Sequence, residues 1–293
     1  MAARSAADRA FEIVIGVFFI LFSLTILYPF WNIILTSFST PDTLNYLGFR
    51  LWMNEWSTKA YRFAVSTYGN ALTGYANSTL RVILGTLTTV IMTILFAYPL
   101  SKRDLPGRTL ITLYVIITMF FSGGIIPLYL LIRRLGLMDS RLALILPVMT
   151  NAFYVIVMRN FLMTIDLAYE ESAMMDGASY LQVLTRIIIP LSKPIIAVLI
   201  LWSAVFHWNE WFHALLFVKS RDKWVIQFIM RRMLARINIV VFEMQEFEAE
   251  IHLMPKEAVQ AAVTVLTIGP IILVYPFIQK YFAKGVFVGS VKG

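Results

Sequence analysis

The chain alternates long apolar stretches with shorter polar ones, and the apolar stretches exceed what a soluble core needs. Uncharged runs occupy residues 13–35, 82–100, 109–132, 142–158 and 258–279, and a sixth, 194–218, is broken only by Glu210. A hydrocarbon core of about 30 Å takes roughly 20 residues of helix to cross. Lipid accepts only helices or closed barrels, because every backbone polar group has to be bonded internally. The pattern therefore predicts an all-α, polytopic membrane protein with six transmembrane helices, the fourth the shortest. No internal repeat or low-complexity tract interrupts it.

The polar segments differ in character. Residues 36–80 carry Pro41, Gly48, Trp52, Trp56, Tyr61 and Tyr68, which reads as a small interfacial subdomain anchored by aromatic rings. Residues 219–257 begin basic (Arg221, Lys223, Arg231, Arg232, Arg236) and end acidic (Glu243, Glu246, Glu248, Glu250), consistent with a helical pair or flap. Six spans place both of these regions on one side of the membrane and residues 163–193 on the other. Residues 1–10 form a short tail. The first run follows Arg4 and Arg9 but is too long for a signal-peptide core and precedes no small-x-small site, so it reads as an uncleaved anchor helix. Lys102, Arg103 and Arg108 in one loop are matched by Arg133, Arg134 and Arg141 in the next. Charge bias alone thus favours a cytoplasmic N-terminus by a narrow margin.

Composition agrees with the pattern and narrows the chemistry. The 293 residues are 59% hydrophobic and 14% charged, with a mean hydropathy of +0.75, far from soluble norms. The net charge of +8 is spread in ones to threes beside the spans, which suits lipid headgroups rather than nucleic acid. There is no cysteine, so neither a disulfide nor a thiolate metal site forms. His207 and His213 stand six apart, off a common helical face, so no metal site is expected. HExxH, GxSxG and facing intramembrane acids are missing from the sequence, and so is the GxxxxGK[ST] phosphate loop. The chain is expected neither to be an enzyme by itself nor to bind a cofactor. A secondary transporter is a weaker alternative, because ion coupling calls for more charge within the spans.

One polar segment, EESAMMDGASYLQVLTRIIIPLSKP from Glu170 to Pro194, has a pattern of its own. Ser179 suits a helix N-cap, and Tyr180, Leu181, Leu184, Ile187 and Ile188 recur at the spacing of one helical face. Gly177 after Asp176 suits a left-handed helix end, and Pro190 and Pro194 are expected to stop the second helix. The prediction is a helix-turn-helix elbow with Glu170, Glu171 and Asp176 at its tip. By periodicity alone it is either a helix resting on the membrane surface or a docking surface for another protein.

Other candidates are single residues. Glu210 is the one acid within a span, which makes it a pathway candidate, although near the end of its run it also has the option of snorkelling. Trp208 and Trp211 suit sugar stacking or an interfacial belt, and Asn151 and Tyr154 suit a pathway or helix packing.

Glu171-Ser172-Ala173, Gly177 after three residues, Ile187 after nine more and then Ile189-Pro190 resemble the EAA loop of permease subunits in binding-protein-dependent ABC importers. FSGGIIPLYLLIRRLGLMDS (121–140), AYPLSKRDLPGR (97–108) and HWNEWFHAL (207–215) are similar to the carbohydrate-uptake branch, and the final VGSVKG resembles the tail of the smaller maltose permease. Three positions depart mildly from the pattern: Ser172 replaces an Ala, Ile189 a Leu, and Asp166 a common Pro.

The resemblance implies a type I importer fold in the bacterial inner membrane. It implies a second permease as partner, two ATPases that hold ATP and Mg, and a periplasmic solute-binding protein. It also implies an ATPase-coupling role for Glu170, Glu171, Ala173, Asp176, Gly177, Pro190, Lys292 and Gly293. Similarity to alginate oligosaccharide importers implies an anionic cargo, with a neutral oligosaccharide as the alternative. On that reading Arg133, Arg134 and Arg141 form an outer funnel with His207, Asn209 and His213 further in. The competing reading of these arginines is headgroup contact or docking of the binding protein.

Overall fold

The structure is a computed structural model that describes residues 6–44, 51–53, 55–66, 71–243 and 255–285. Among the described residues all regular structure is helical. Lys292 and Gly293, the expected coupling tail, lie outside them, as do Gly48, Tyr68, Glu246, Glu248 and Glu250. The chain divides into two compact units, residues 1–69 with 230–269, and residues 70–229 with 270–293.

In the first unit, α1 (Ala6–Ser37) is a 32-residue helix, and its apolar stretch is exposed along its length. Past its end the aromatic residues gather. The Phe38 ring lies 4.8 Å from that of Tyr61, and the Tyr61 hydroxyl is 2.8 Å from Ser37 Oγ. Trp52 meets Trp56 edge-on, and Trp31 Nε1 donates to the Leu51 carbonyl at 3.0 Å. The short helix α2 (Lys59–Ser66) completes this cluster of amphipathic rings.

The second unit is organised around α3 (Ala71–Ser101), which has 31 residues. It begins at Ala71, not at residue 82 where the apolar run starts. Asn77, Ser78 and Arg81 are buried and each is hydrogen-bonded across to another segment, so the helix need not be apolar there.

The third apolar run is not one straight helix. It breaks into α4 (Arg108–Phe120) and α5 (Ile125–Arg134), bent by 108°, at Gly123-Gly124, where Gly124 has φ 84°. The fourth run starts as 3-10 turns over Arg141–Val148 and bends by 49° into α6 (Ala152–Leu162). The elbow contributes α7 (Ala168–Met175) and α8 (Tyr180–Leu191), which meets α9 (Lys193–Asn209) at 81°. The fifth run is interrupted again after Asn209, at Glu210 and Trp211, before α10 (Phe212–Phe217). The remaining long helices are α11 (Ile226–Glu243) and α12 (Lys256–Gly285). Taken singly, only Ala10–Ser37 and Ala71–Ser101 are long and apolar enough to cross a membrane among the described residues.

Two apolar clusters hold the second unit. The larger joins Val90, Ile94, Ala97 and Tyr98 of α3 to Val155 and Met158 of α6, Val183, Leu184 and Ile188 of α8, and Leu199 of α9. The smaller joins Ile132 of α5, Ala143 and Phe217 of α10. Small residues let α9 approach α3 closely. A Cβ at Gly85 would lie 2.5 Å from the His207 ring, which fits the use of small residues where membrane helices pack.

Candidate functional site

The elbow is built as its sequence suggests, with local corrections. At the end of α7 the Gly177 N–H donates to the Met174 carbonyl at 3.0 Å and the Ala178 N–H to the Ala173 carbonyl at 2.9 Å. This pair of bonds requires a left-handed residue, and Gly177 has φ 83°. Ser179 then starts α8 with reciprocal capping: its N–H donates to Gln182 Oε1 at 2.7 Å and its hydroxyl accepts from the Gln182 N–H at 3.4 Å.

Pro190 does not stop α8. The turn just before it, Leu184–Ile188, widens to the π pattern, which takes up the missing proline N–H, and the helix runs on to Leu191. Pro194 lies in the first turn of α9. The buried face is Val183, Leu184 and Ile188. Tyr180 and Leu181, expected on it, are 63% and 67% exposed, because the first turn of α8 stands clear of the α3 packing.

Glu170 also departs from expectation. Glu171 and Asp176 are exposed at the tip, with Met175 between them 88% exposed, but Glu170 is buried. It turns inward to pair with Lys102 just past the end of α3, and the Tyr98 hydroxyl donates to its Oε2 at 3.4 Å. The Lys102 ammonium sits 4.3 Å over the Tyr98 ring. Nearby, the guanidinium Nε atoms of Arg108 and Arg159 donate to the Leu100 carbonyl at 3.0 and 3.1 Å, capping the C-terminus of α3 with positive charge.

The other end of α3 carries a second polar assembly. The Asn77 amide donates to the carbonyls of Asp222 at 2.7 Å and Trp224 at 3.0 Å, and its oxygen accepts from Arg141 Nε at 3.0 Å. Ser78 Oγ accepts from the Ile226 N–H at 2.9 Å. Arg81 bonds both the carbonyl and a carboxylate oxygen of Glu210, at 2.7 and 2.6 Å. The other carboxylate oxygen of Glu210 accepts from the N–H groups of Phe212 and His213, starting α10, and the His213 ring lies 2.9 Å from the carboxylate.

Asp139, at φ 56°, accepts from the Lys219 and Ser220 N–H groups and from the Ser220 hydroxyl, and it pairs with Lys223. The Ser220 hydroxyl, more than any other partner, holds its carboxyl below the usual carboxylate range, with the Ser220 N–H and Lys223 adding to it. Asn77 and Tyr98 are separated by about 32 Å of helix at 1.5 Å per residue, the thickness of a hydrocarbon core.

A cavity of about 650 Å³ opens between α3, α4 and α6, lined by Phe96, Tyr114, Thr118, Thr150, Asn151 and Phe153, with no charged residue among the described lining residues. Asn151 is the one sequence-proposed pathway residue that lines it. It also caps α6, accepting from the Tyr154 N–H at 3.2 Å. The Tyr154 ring packs on Trp202 at 5.8 Å.

The other expected pathway residues lie elsewhere. His207 is buried against Gly85 and Thr89, and Trp208 packs on Tyr75. The Asn209 amide donates to the Val205 carbonyl, while Glu210 and His213 belong to the Arg81 assembly. Arg141 donates to Asn77 and, like Arg133 and Arg134 at the end of α5, stays exposed. The sequence reading missed Arg81, which stands one residue outside the second apolar run, and Lys102, the partner of Glu170. Two lone opposite charges at the margins of two spans, Arg81 and Glu210, were the available signal for the first pair.

A family model described as the binding-protein-dependent transport system inner membrane component matches residues 1–288. The chain belongs to this family. Among its relatives, the polygalacturonan/rhamnogalacturonan transport system permease protein YtcP of Bacillus subtilis (strain 168) is 39% identical over 289 residues, 98% of this chain and 99% of the relative. Protein LplC of the same organism is 40% identical over 271 residues, 92% of this chain and 90% of the relative. In a crystal structure of a bacterial ABC transporter involved in the import of the acidic polysaccharide alginate, one chain superposes with a TM-score of 0.79 at 32% identity, over 96% of this chain and 100% of that one. The binding-protein-dependent permease is thus a membrane-embedded transporter subunit, not an enzyme by itself, and ATP is hydrolysed by a partner ATPase.

Proposed function

We propose that this permease is one of a pair forming the pathway of an ATP-driven importer for acidic oligosaccharides, alginate oligosaccharides first among them. It acts as a multi-pass protein of the bacterial inner membrane. A periplasmic binding protein delivers the sugar, and two ATPases holding ATP and Mg drive the cycle through the elbow, residues 163–193. The observation that carries the cargo class is shared chemistry. The relatives named for polygalacturonan and for alginate both refer to polymers of uronic acids.

The cavity supports this reading. Tyr114 and Phe153 offer ring faces, Thr118, Thr150 and Asn151 offer hydrogen bonds, and no described lining carboxylate repels an anion. The exposed Arg133 and Arg134 add long-range attraction over about 8 Å at physiological salt. More distant relatives named for arabinooligosaccharides and for trehalose/maltose keep a neutral oligosaccharide as the second reading.

Uptake into proteoliposomes containing the whole complex and saturating binding protein distinguishes the two. An oligouronate should be accumulated with ATP inside the vesicles and a neutral oligosaccharide of equal length should not. Neutralising Arg133 and Arg134 should slow the charged cargo alone. Preferential uptake of the neutral sugar overturns the acidic assignment.

A further inference from the structure

The elbow carries two adjacent carboxylates with opposite fates. Glu171 is exposed, while Glu170 is 9% exposed and faces α3. Burying a carboxylate is costly unless it is paired and hydrogen-bonded, and Glu170 has both Lys102 as its ion partner and the Tyr98 hydroxyl as donor. Lys102 is itself seated over the Tyr98 ring, so three side chains from two elements fix one another.

The remaining contacts of the elbow with α3 are of another kind. Val183, Leu184 and Ile188 share one apolar cluster with Ile94, Ala97 and Tyr98. Such contact is non-directional and resists sliding weakly, whereas an ion pair anchored on a ring sets both register and azimuth. The elbow is joined to its flanking spans by turns at either end, after Leu162 and at Ser192, so the backbone alone does not fix it to α3.

We infer that Lys102, Glu170 and Tyr98 form a clasp that makes the elbow and the end of α3 move as one body. A displacement imposed on the exposed tip, at Glu171, Met175 and Asp176, then reaches the transmembrane column through Glu170. Lys102 and Tyr98 become positioning residues for transport, and Glu170 serves the inside of the permease rather than the ATPase surface. This rests on the elbow being the ATPase docking element, as proposed above.

The test uses the assembled complex in proteoliposomes and reads substrate accumulated per ATP hydrolysed, alongside retention of the ATPase on purification. Glu170→Gln and Lys102→Met should each lower that ratio about fivefold or more, the range of a typical coupling energy, with the ATPase still bound. The exchange Lys102→Glu with Glu170→Lys should recover most of it. Because the chain has no cysteine, Lys102→Cys with Glu170→Cys allows a second arm in which a short bis-thiosulfonate linker closes the clasp covalently. Linked complex should transport better than unlinked.

Three outcomes overturn the clasp: an unchanged ratio in the single variants, loss of ATPase binding with Glu170→Gln, or transport abolished by the linker and regained on reduction. Failure of the docking reading itself looks different, because charge reversal at the exposed tip, Glu171→Lys with Asp176→Lys, would then leave ATPase retention and uptake unchanged.

Discussion

The two ends of α3 solve the same problem, polar groups near the limits of an apolar layer, in different ways. At the Asn77 end the partners are largely backbone: the carbonyls of Asp222, Trp224 and Glu210 and the N–H of Ile226. Main-chain partners are set by the fold and have no rotamers to exchange. At the Lys102 end the tie to the elbow is one side-chain pair over an apolar patch. The first end is a lock that joins four segments of chain, α3 and residues 139–141, 210–213 and 219–226. The second is a joint, held by the Lys102 and Glu170 pair with the Tyr98 hydroxyl beside it.

The largest effect should come from opening the lock. Arg81→Met leaves Glu210 without its cation, and stranding one member of a buried pair typically costs about 3–5 kcal/mol. We expect little folded protein in the membrane and a sharply lowered melting temperature in whatever is purified. Thermal unfolding followed in detergent checks this, and wild-type stability would remove the pair from the structural account.

At the joint the effect falls on coupling before stability. Gly177→Val forces a β-branched residue to φ 83°, where strain of about 1–3 kcal/mol is expected. Open space surrounds the position, so the change is one of backbone path, not of crowding. Membrane insertion should survive while binding-protein-stimulated ATP hydrolysis and uptake fall together. Unchanged stimulated hydrolysis would remove the elbow from the coupling route.

The smallest effect is expected at the rim of the lock. Asp139 titrates below its ordinary value in the folded chain because Ser220, above all, bonds the charged form. A group depressed on folding stabilises above its unfolded pKa of about 3.9 and loses that contribution as pH falls through the folded value. Wild type should therefore melt progressively lower as the pH drops below about 4, whereas Asp139→Asn, which tolerates the left-handed backbone, should show a shallower decline. Parallel curves would assign the acid sensitivity to other groups.

How much of this was legible in the sequence follows from the same comparison. The elbow was readable because its signals are local: Gly177, the Ser179 and Gln182 pair, and helical periodicity all act within a few residues. Its buried face was misjudged at Tyr180 and Leu181 because exposure depends on where α3 ends. The bends at Gly124 and Glu210 were hidden by uniform hydropathy, which measures apolar content and not helix continuity. Of the lock only Glu210 stood out in the sequence, since Asn77 and Asp222 meet across 145 positions. Polar residues there looked like the edge of a span when they are its buried interior.

The central claim is that the lock and the joint face opposite sides of the membrane, so that movement at one end of α3 is delivered against a fixed point at the other. Without cysteines in the natural chain, single cysteines at the exposed Met175 and Arg221 report this on a clean background. In intact cells with a permeable outer membrane, an impermeant maleimide should label Arg221→Cys and spare Met175→Cys. Inverted membrane vesicles should give the reverse. Labelling of both positions from the same side would contradict the account.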